Sequence, residues 1–433
     1  MTAPDAARDR VHEVVAALWR IESPRLTAAL TRRTGDLGLA EDLAQDAFAI
    51  ALRQWPVDGI PTGPGAWLMA TAQHRLVDHA RRRAVYDRKL SLVAADQAQH
   101  DDPVREVTEV LDDPVRDDEL RLIFLSCHPA LSRENQIALT LKVVGGLQTA
   151  EIGRAFLISE ATAAQRIVRA KKRLATTGAR FELPPAEELS TRLAAALAVV
   201  YAIFNEGYAA TSGDDWTRPE LCQDALRLGR RLAALQPDHP ETHGLLALME
   251  LQASRLPARR SADGTPVLLE DQDRRRWDRL LISRGLRSLE RAGGLGGGPY
   301  TLQAEIAAGH ARAADLASTD WRRIAALYTV LRHLTPSPVL DLNHAVAVGR
   351  AEGPAAGLAR LDALDDRALA RYPLFHVARG DVLESLGRHA EAAAAFRTAA
   401  DLETNAPLRQ TFLDRAGRNR ATSSGEPVDS RPS

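Results

Sequence analysis

The side chains with the most to offer chemically lie in residues 146 to 174, GLQTAEIGRAFLISEATAAQRIVRAKKRL, where Gln165, Arg166, Arg169, Lys171, Lys172 and Arg173 recur at helical spacing. These groups make and hold contacts rather than break bonds. Arginine pairs with guanine edges and glutamine with adenine edges, a small apolar group touches a thymine methyl, and lysines and arginines hold phosphates. Thr162, Ala164 and Val168 lie among them on the same side. Opposite them Ala163, Ile167, Ala170 and Leu174 make an apolar stripe spaced four, three and four, which fixes the basic face outward. Thr149 or Gln148 starts a first helix that runs through Ala155, FLIS makes a tight connection, and Ser159 with Thr162 opens the second helix. The pattern is a helix-turn-helix whose second helix is short enough for a major groove. By itself it is equally a basic amphipathic helix on any helical protein.

Two earlier segments carry further polar groups at helical intervals. In LAEDLAQDAFAIALRQW, Glu41, Asp42, Gln45 and Asp46 share a polar face, while Leu43, Ala47, Phe48 and Ala51 pack inward. An acidic face of this kind either docks on a partner or is simply solvated. In AWLMATAQHRLVDHARRR, Trp67 and Leu68 anchor a core and Gln73, His74, Arg75, Asp78, Arg81, Arg82 and Arg83 supply polar and cationic groups. Cations along a backbone path, with an aromatic face or pocket for unstacked bases, are what capture of a single strand requires.

Other signals lead away from catalysis. His239 and His243 in HPETH are four apart, but Pro240 marks a helix start and Glu241 is misplaced for a zinc protease, so the pair reads as structural. GGLGGGP, residues 293 to 299, lacks the lysine of a phosphate-binding loop and follows no strand pattern. Cys127 and Cys222 are far apart with no CxxC partner, which fits buried thiols in a reducing compartment. No Ser/His/Asp or paired-carboxylate arrangement stands out, so the chain is expected to be no enzyme and to need no metal or cofactor.

The elements that position these groups are all helical. Apolar positions recur at spacings of three and four, Ala, Leu and Arg dominate, and no strand pattern competes over the 433 residues. The formal net charge of -1 places any DNA-binding surface locally, offset by acidic stretches elsewhere. A first helical unit spans 9–89, with Pro56, Pro61 and Pro64 interrupting its second and third helices. Residues 90–119 read as an acidic linker, 120–178 as a second small unit, 186–415 as a run of helices separated by Pro/Gly breaks, and 417–433 as a disordered tail. In ARGDVLESLGRHAEAAAAFRTAADLETNAP, Leu386, Gly387, Ala392, Phe396, Ala399 and Pro407 fall at about tetratricopeptide (TPR) spacing, which predicts a helical-pair domain. The N-terminus lacks an apolar signal core and no apolar run approaches bilayer length, so a cytoplasmic protein with no membrane partner is expected.

LAEDLAQDAFAIALRQW followed by WLMATAQHRLVDHARRR resembles region 2 of extracytoplasmic-function (ECF) sigma factors, and the helix-turn-helix resembles their region 4. The order and the acidic stretch between them fit as well. The resemblance implies an alternative sigma factor that directs core RNA polymerase to specific promoters. It implies that Glu41, Asp42, Gln45 and Asp46 dock on core polymerase, and that the helix from Trp67 through Arg82 opens and holds the minus-ten element beside the loop PVDGIPTGPG. It assigns base reading at the minus-thirty-five element to Ala164, Gln165, Val168 and Arg169; Ala164 offers no hydrogen bond, so readout leans on Gln165 and Arg169. His74 replaces the family's usual asparagine, and Leu157 replaces the usual glycine of the turn.

That resemblance covers roughly the first 180 residues. The segment VYAIFNEGY and the TPR-like end resemble the ECF subgroup with a long C-terminal helical extension, which in that subgroup acts in cis. A solenoid offers a concave surface to a peptide, a partner protein or the sigma regions themselves, and the intramolecular contact is the favoured reading. FNEGY suits a polar contact at a domain interface, or equally a capped helix end with a buried Tyr208. Two other functions compete: a helix-turn-helix regulator without sigma activity, and a TPR-like scaffold whose basic helix is incidental.

Overall fold

The computed structural model describes residues 3–91, 114–156, 158–210, 215–261, 264–364 and 369–424. Among them are eighteen α-helices and no strand, so the fold is all-α. None of these helices is long and apolar enough to cross a membrane. Residues 92–113, most of the expected linker, lie outside the described residues, as do Leu157 and 425–433. Two compact units meet within a helix, one ending at Val199 and the other starting at Val200.

In the first unit, local signals set each helix. Helix α1 (Ala3–Thr34) carries Pro24 inside it, and Gly35 follows with φ 68°. Helix α2 (Leu37–Asp58) starts where the Asp36 carboxylate accepts the N–H groups of Gly38 and Leu39 at 2.7 and 3.1 Å. Pro56 does not break α2, contrary to the expectation from its sequence. It sits in the last turn, and the helix stops at Gly59, whose φ of 84° suits glycine and whose N–H bonds Trp55 O. Pro64 opens α3 (Pro64–Ser91). These three helices share a core of Leu26, Leu30, Leu43, Ala47, Phe48, Trp55, Leu68 and Ala72. Trp19 packs on Phe48 with ring centroids 4.7 Å apart, and Trp55 meets Trp67 edge-on at 5.3 Å.

Helix α4 (Pro114–Ser126) begins inside the stretch expected to be linker. Asp118 and Glu119 are buried rather than solvated, because arginines meet them: Arg32 and Arg121 reach Asp118 at 3.0 and 2.8 Å, and Arg25 reaches Glu119 at 3.4 Å. Helices α5 (Arg133–Val143), α6 (Thr149–Ala155) and α7 (Glu160–Thr176) follow. The first turns of α8 (Ala186–Tyr208) belong to this unit too, with Arg192 donating to Phe124 O at 3.2 Å and Arg133 to Ala198 O.

The second unit continues with α9 (Pro219–Leu235), α10 (Pro240–Ala253), α11 (Arg279–Gly294), α12 (Pro299–Arg312), α13 (Trp321–Leu334), α14 (Pro338–Glu352), α15 (Pro354–Asp362), α16 (Pro373–Ser385), α17 (His389–Leu402) and α18 (Ala406–Ser424). Six of these open on proline at the first position, where a missing N–H costs nothing. Successive helices from α12 to α18 pack on their neighbours, which gives the helical-pair, TPR-like architecture. At its end Gly380 of α16 lets Phe396 of α17 approach: a Cβ at Gly380 would sit 2.7 Å from the ring. Gly387 turns between the two helices at φ 74°. The expected tail is shorter than its composition implies. Helix α18 runs past Gly417 to Ser424 because Asn419 is buried and donates to Glu384 at 2.9 Å.

Candidate nucleic-acid interface

Ser159, extended at φ -63° and ψ 150°, caps α7 by accepting the Thr162 N–H at 3.1 Å, and its hydroxyl also meets the Thr162 hydroxyl at 2.8 Å. Ala163, Ile167, Ala170 and Leu174 are all buried, so the stripe read from the sequence seats the helix. That leaves Gln165, Val168, Arg169, Lys172 and Arg173 exposed, with Val168 at 61%, while Thr162, Ala164, Arg166 and Lys171 are half-buried. Arg166 also faces α5: Glu134 lies below the usual carboxylate range, first through its backbone N–H and the Ser132 hydroxyl, with Arg166 adding its charge.

Helix α6 crosses close to the start of α7, since a Cβ on Gly153 would lie 3.0 Å from Ile158 O. Leu157, the residue expected in the turn, lies outside the described residues, and Gly153 carried no signal in the sequence.

On α3, His74, Arg81 and Arg82 are exposed, and Trp67, Gln73 and Arg75 are half-buried. Trp67 is held by its edge contact with Trp55 at 5.3 Å, which leaves part of its ring at the surface beside the α2–α3 loop. Two exposed aliphatic residues lie there, Val57 in the last turn of α2 at 85% and Ile60 in the loop at 37%.

The acidic face of α2 divides. Asp42, Gln45 and Asp46 are exposed, but Glu41 is buried. Its carboxylate meets Lys171 Nζ at 2.6 Å and Lys142 Nζ at 3.6 Å, and accepts from Gln45 Nε2 at 3.1 Å. Thus one residue expected on the polymerase face holds one expected on the DNA face. Trp19, Lys142 and Gly146 complete this contact and were missed from the sequence. Trp19 Nε1 donates to Gly146 O at 2.8 Å, Lys142 lies over the Trp19 ring at 6.0 Å, and Arg20 pairs with Glu151 at 2.9 Å.

In the second unit, Glu206 and Tyr208 of FNEGY make their contacts within the unit, although the buried Tyr208 hydroxyl meets no hydrogen-bond partner among the described residues. Glu206 pairs with Arg218, Tyr208 stacks on Phe204 at 5.7 Å, and the Arg259 guanidinium lies over the Tyr208 and Trp216 rings at 3.8 and 4.1 Å. His243 Nε2 bonds Pro237 O at 2.8 Å, in keeping with a structural role. Glu241 between the two histidines crosses to cap α12, accepting the N–H groups of Tyr300 and Thr301 at 2.7 and 3.1 Å.

Sigma-70 region 2 matches residues 18–85, sigma-70 region 4 matches residues 121–174, and a family of unknown function (DUF6596) matches residues 192–293. The uncharacterized protein R00370 of Rhizobium meliloti (strain 1021) is 45% identical over 386 residues, which cover 88% of this chain and 90% of that protein. The probable ECF RNA polymerase sigma factor SigI of Mycobacterium tuberculosis (strain ATCC 25618 / H37Rv) is 28% identical over 177 residues. That match covers 41% of this chain and 59% of SigI.

Proposed function

The chain is an ECF-type member of the sigma-70 family, sharing most of its length with R00370 of Rhizobium meliloti, and from that premise we propose how its surfaces divide the work. It is an alternative sigma factor that brings core RNA polymerase to promoter DNA. The observation that carries the reading is the presence, in order and within one compact unit, of region 2 on α1–α3 and region 4 on α4–α7.

Gln165, Val168 and Arg169 read base edges of the minus-thirty-five element, and Arg166, Lys171, Lys172 and Arg173 hold its phosphates. Trp67, Gln73, His74, Arg75, Arg81 and Arg82 receive the opened minus-ten strand, with the half-exposed Trp67 ring as the stacking surface. Asp42, Gln45 and Asp46, with Glu41 behind them, dock on core polymerase. The protein acts in RNA synthesis as a specificity subunit in the cytoplasm and not as an enzyme. Sigma-free core polymerase given this chain and promoter fragments from the same genome yields transcripts with discrete start sites. A helix-turn-helix regulator or a scaffold would yield none.

The extension regulates this activity in cis. Its boundary matters to the test, because a cut near Pro185 would strip Arg192 and Ala198 from α4 and α5. Removal of residues 209–433 is therefore the better truncation. It is expected to change transcript yield several-fold while core binding persists, measured by run-off transcription and co-purification. Equal yield from the two chains contradicts regulation by the extension.

A further inference from the structure

Helix α11 of the extension is seated by one face. Ile282, Gly285, Leu289 and Ala292 are buried, and a Cβ on Gly285 would lie 2.8 Å from Leu251 Cγ, so the helix rests closely on α10. The opposite side carries Arg284, Arg287 and Arg291, all exposed and spaced three and four residues apart, which sets three guanidinium groups in one row. None of the three is neutralised. Arg287 donates to the Ser283 hydroxyl at 3.2 Å and Arg291 to Pro237 O at 3.1 Å, and no carboxylate pairs with any of them among the described residues. The groove between α11 and α12 adds Arg279, and its Glu305 is already engaged by Arg312 and Arg323 at 3.3 and 3.1 Å. Glu290 is the one acidic residue of α11 itself.

Arginines elsewhere in this unit are placed differently. Arg230 pairs with Glu250 at 2.9 Å and Arg350 with Glu270 at 2.8 Å, while Arg218 meets Glu206 and Arg415 meets Asp381 and Glu384. Even the three arginines just before α11 are spoken for. Arg274 donates to His310 O and Ala313 O, Arg275 meets Asp273, and Arg276 donates to Arg260 O. A face kept only for solubility mixes both signs, and this row has one. A folded protein partner wants an apolar centre and a charged rim. Here the order is inverted, because the exposed Leu280 lies at the end of the row, one turn before Arg284. Resting on the sigma reading above, we infer that the α11 row is a second DNA contact, which holds phosphates of the duplex flanking the promoter elements and reads no bases. Guanidinium forks match phosphate oxygens, and a row of them can follow a strand. The chain makes a weak contact effective. Helix α8 carries the first unit into the second, so α11 is tethered to the DNA-reading helix and acts at a raised effective concentration.

The test titrates the full-length chain, by fluorescence anisotropy across a potassium chloride series, against a mixed-sequence duplex of about 40 base pairs, long enough for both helices to engage. Arg284→Gln with Arg287→Gln removes two cations and keeps the helix, since both side chains are exposed and the hydrogen bond lost is the one to Ser283. Binding is expected to weaken roughly fivefold, and the slope of log affinity against log salt to fall by about 2. Arg397→Gln with Arg409→Gln, at exposed positions of α17 and α18, makes the same change in net charge and should leave both values at wild type. An equal loss from both double variants is a net-charge effect and overturns the inference. A wild-type affinity and slope in Arg284→Gln with Arg287→Gln overturns it too, as does a wild-type chain without affinity for the duplex. Weaker binding to sigma-free core polymerase with unchanged DNA titrations would give α11 an acidic protein partner instead and equally overturns it. Lys172→Gln with Arg173→Gln on α7 separates the two readings: a loss from the α11 pair and none from the α7 pair leaves this contact standing and counts against the sigma assignment of α7.

Discussion

Arg169→Ala is expected to weaken binding to the minus-thirty-five duplex by about 2 kcal/mol, roughly thirtyfold, and to flatten discrimination at one base pair. The side chain is exposed on the face of α7 opposite the buried stripe, three residues before the exposed Lys172, which is proposed to hold a phosphate. Its loss removes a base contact and leaves the helix seated. Lys172→Ala is the control: losing a phosphate contact weakens all sequences alike and reduces the salt dependence. Anisotropy titrations of both variants against matched and mutated duplexes separate the two effects. If Arg169→Ala and Lys172→Ala lose affinity uniformly and equally, Arg169 does not read bases.

Phe396→Ala is expected to destabilise the end of the extension by about 3 to 5 kcal/mol. The ring is fully buried in a cluster with Leu383, Ala392, Ala399, Phe412 and Ala416, and Gly380 on the facing helix leaves no side chain to fill the space. Arg415 lies over the ring at 4.2 Å, so its guanidinium also loses a partner. Hydrogen exchange of the α16–α18 amides reads the loss directly. Phe396→Leu, which keeps much of the volume, should cost clearly less. Equal protection in Phe396→Ala and the wild type would mean that the ring does not hold α16 to α17.

The parts legible in the sequence were those that local rules decide. The stripe on α7 and its Ser159 cap depend on residues within a few positions of each other, and both stand in the structure. The TPR-like spacing located Phe396, Ala392 and Ala399 in a core, although Gly380, which makes room for the ring, carried no signal of its own. Glu41 shows where such reading stops. It shares its polarity with Asp42, Gln45 and Asp46, yet its helical neighbours Leu37 and Ala44 are both buried and put it at the edge of the core. Nothing local, however, reveals that its partners are Lys142 and Lys171. The same holds for Asp118 and Glu119, whose acidity resembled a linker until Arg32 and Arg25 came from a helix far earlier in the chain. Charge read along a sequence says what must be paired or solvated, and only the tertiary contact says which.

Permanganate reactivity of thymines across the minus-ten element, with sigma-free core polymerase, this chain and a promoter fragment chosen from the transcripts it supports, tests whether the chain lets core polymerase open promoter DNA. Unpaired thymines confined to that element, appearing only when both proteins are present and lost with Arg81→Ala and Arg82→Ala together, are the predicted result. Duplex that stays unreactive while the chain remains bound to it would contradict the account and leave a DNA-binding protein without sigma activity.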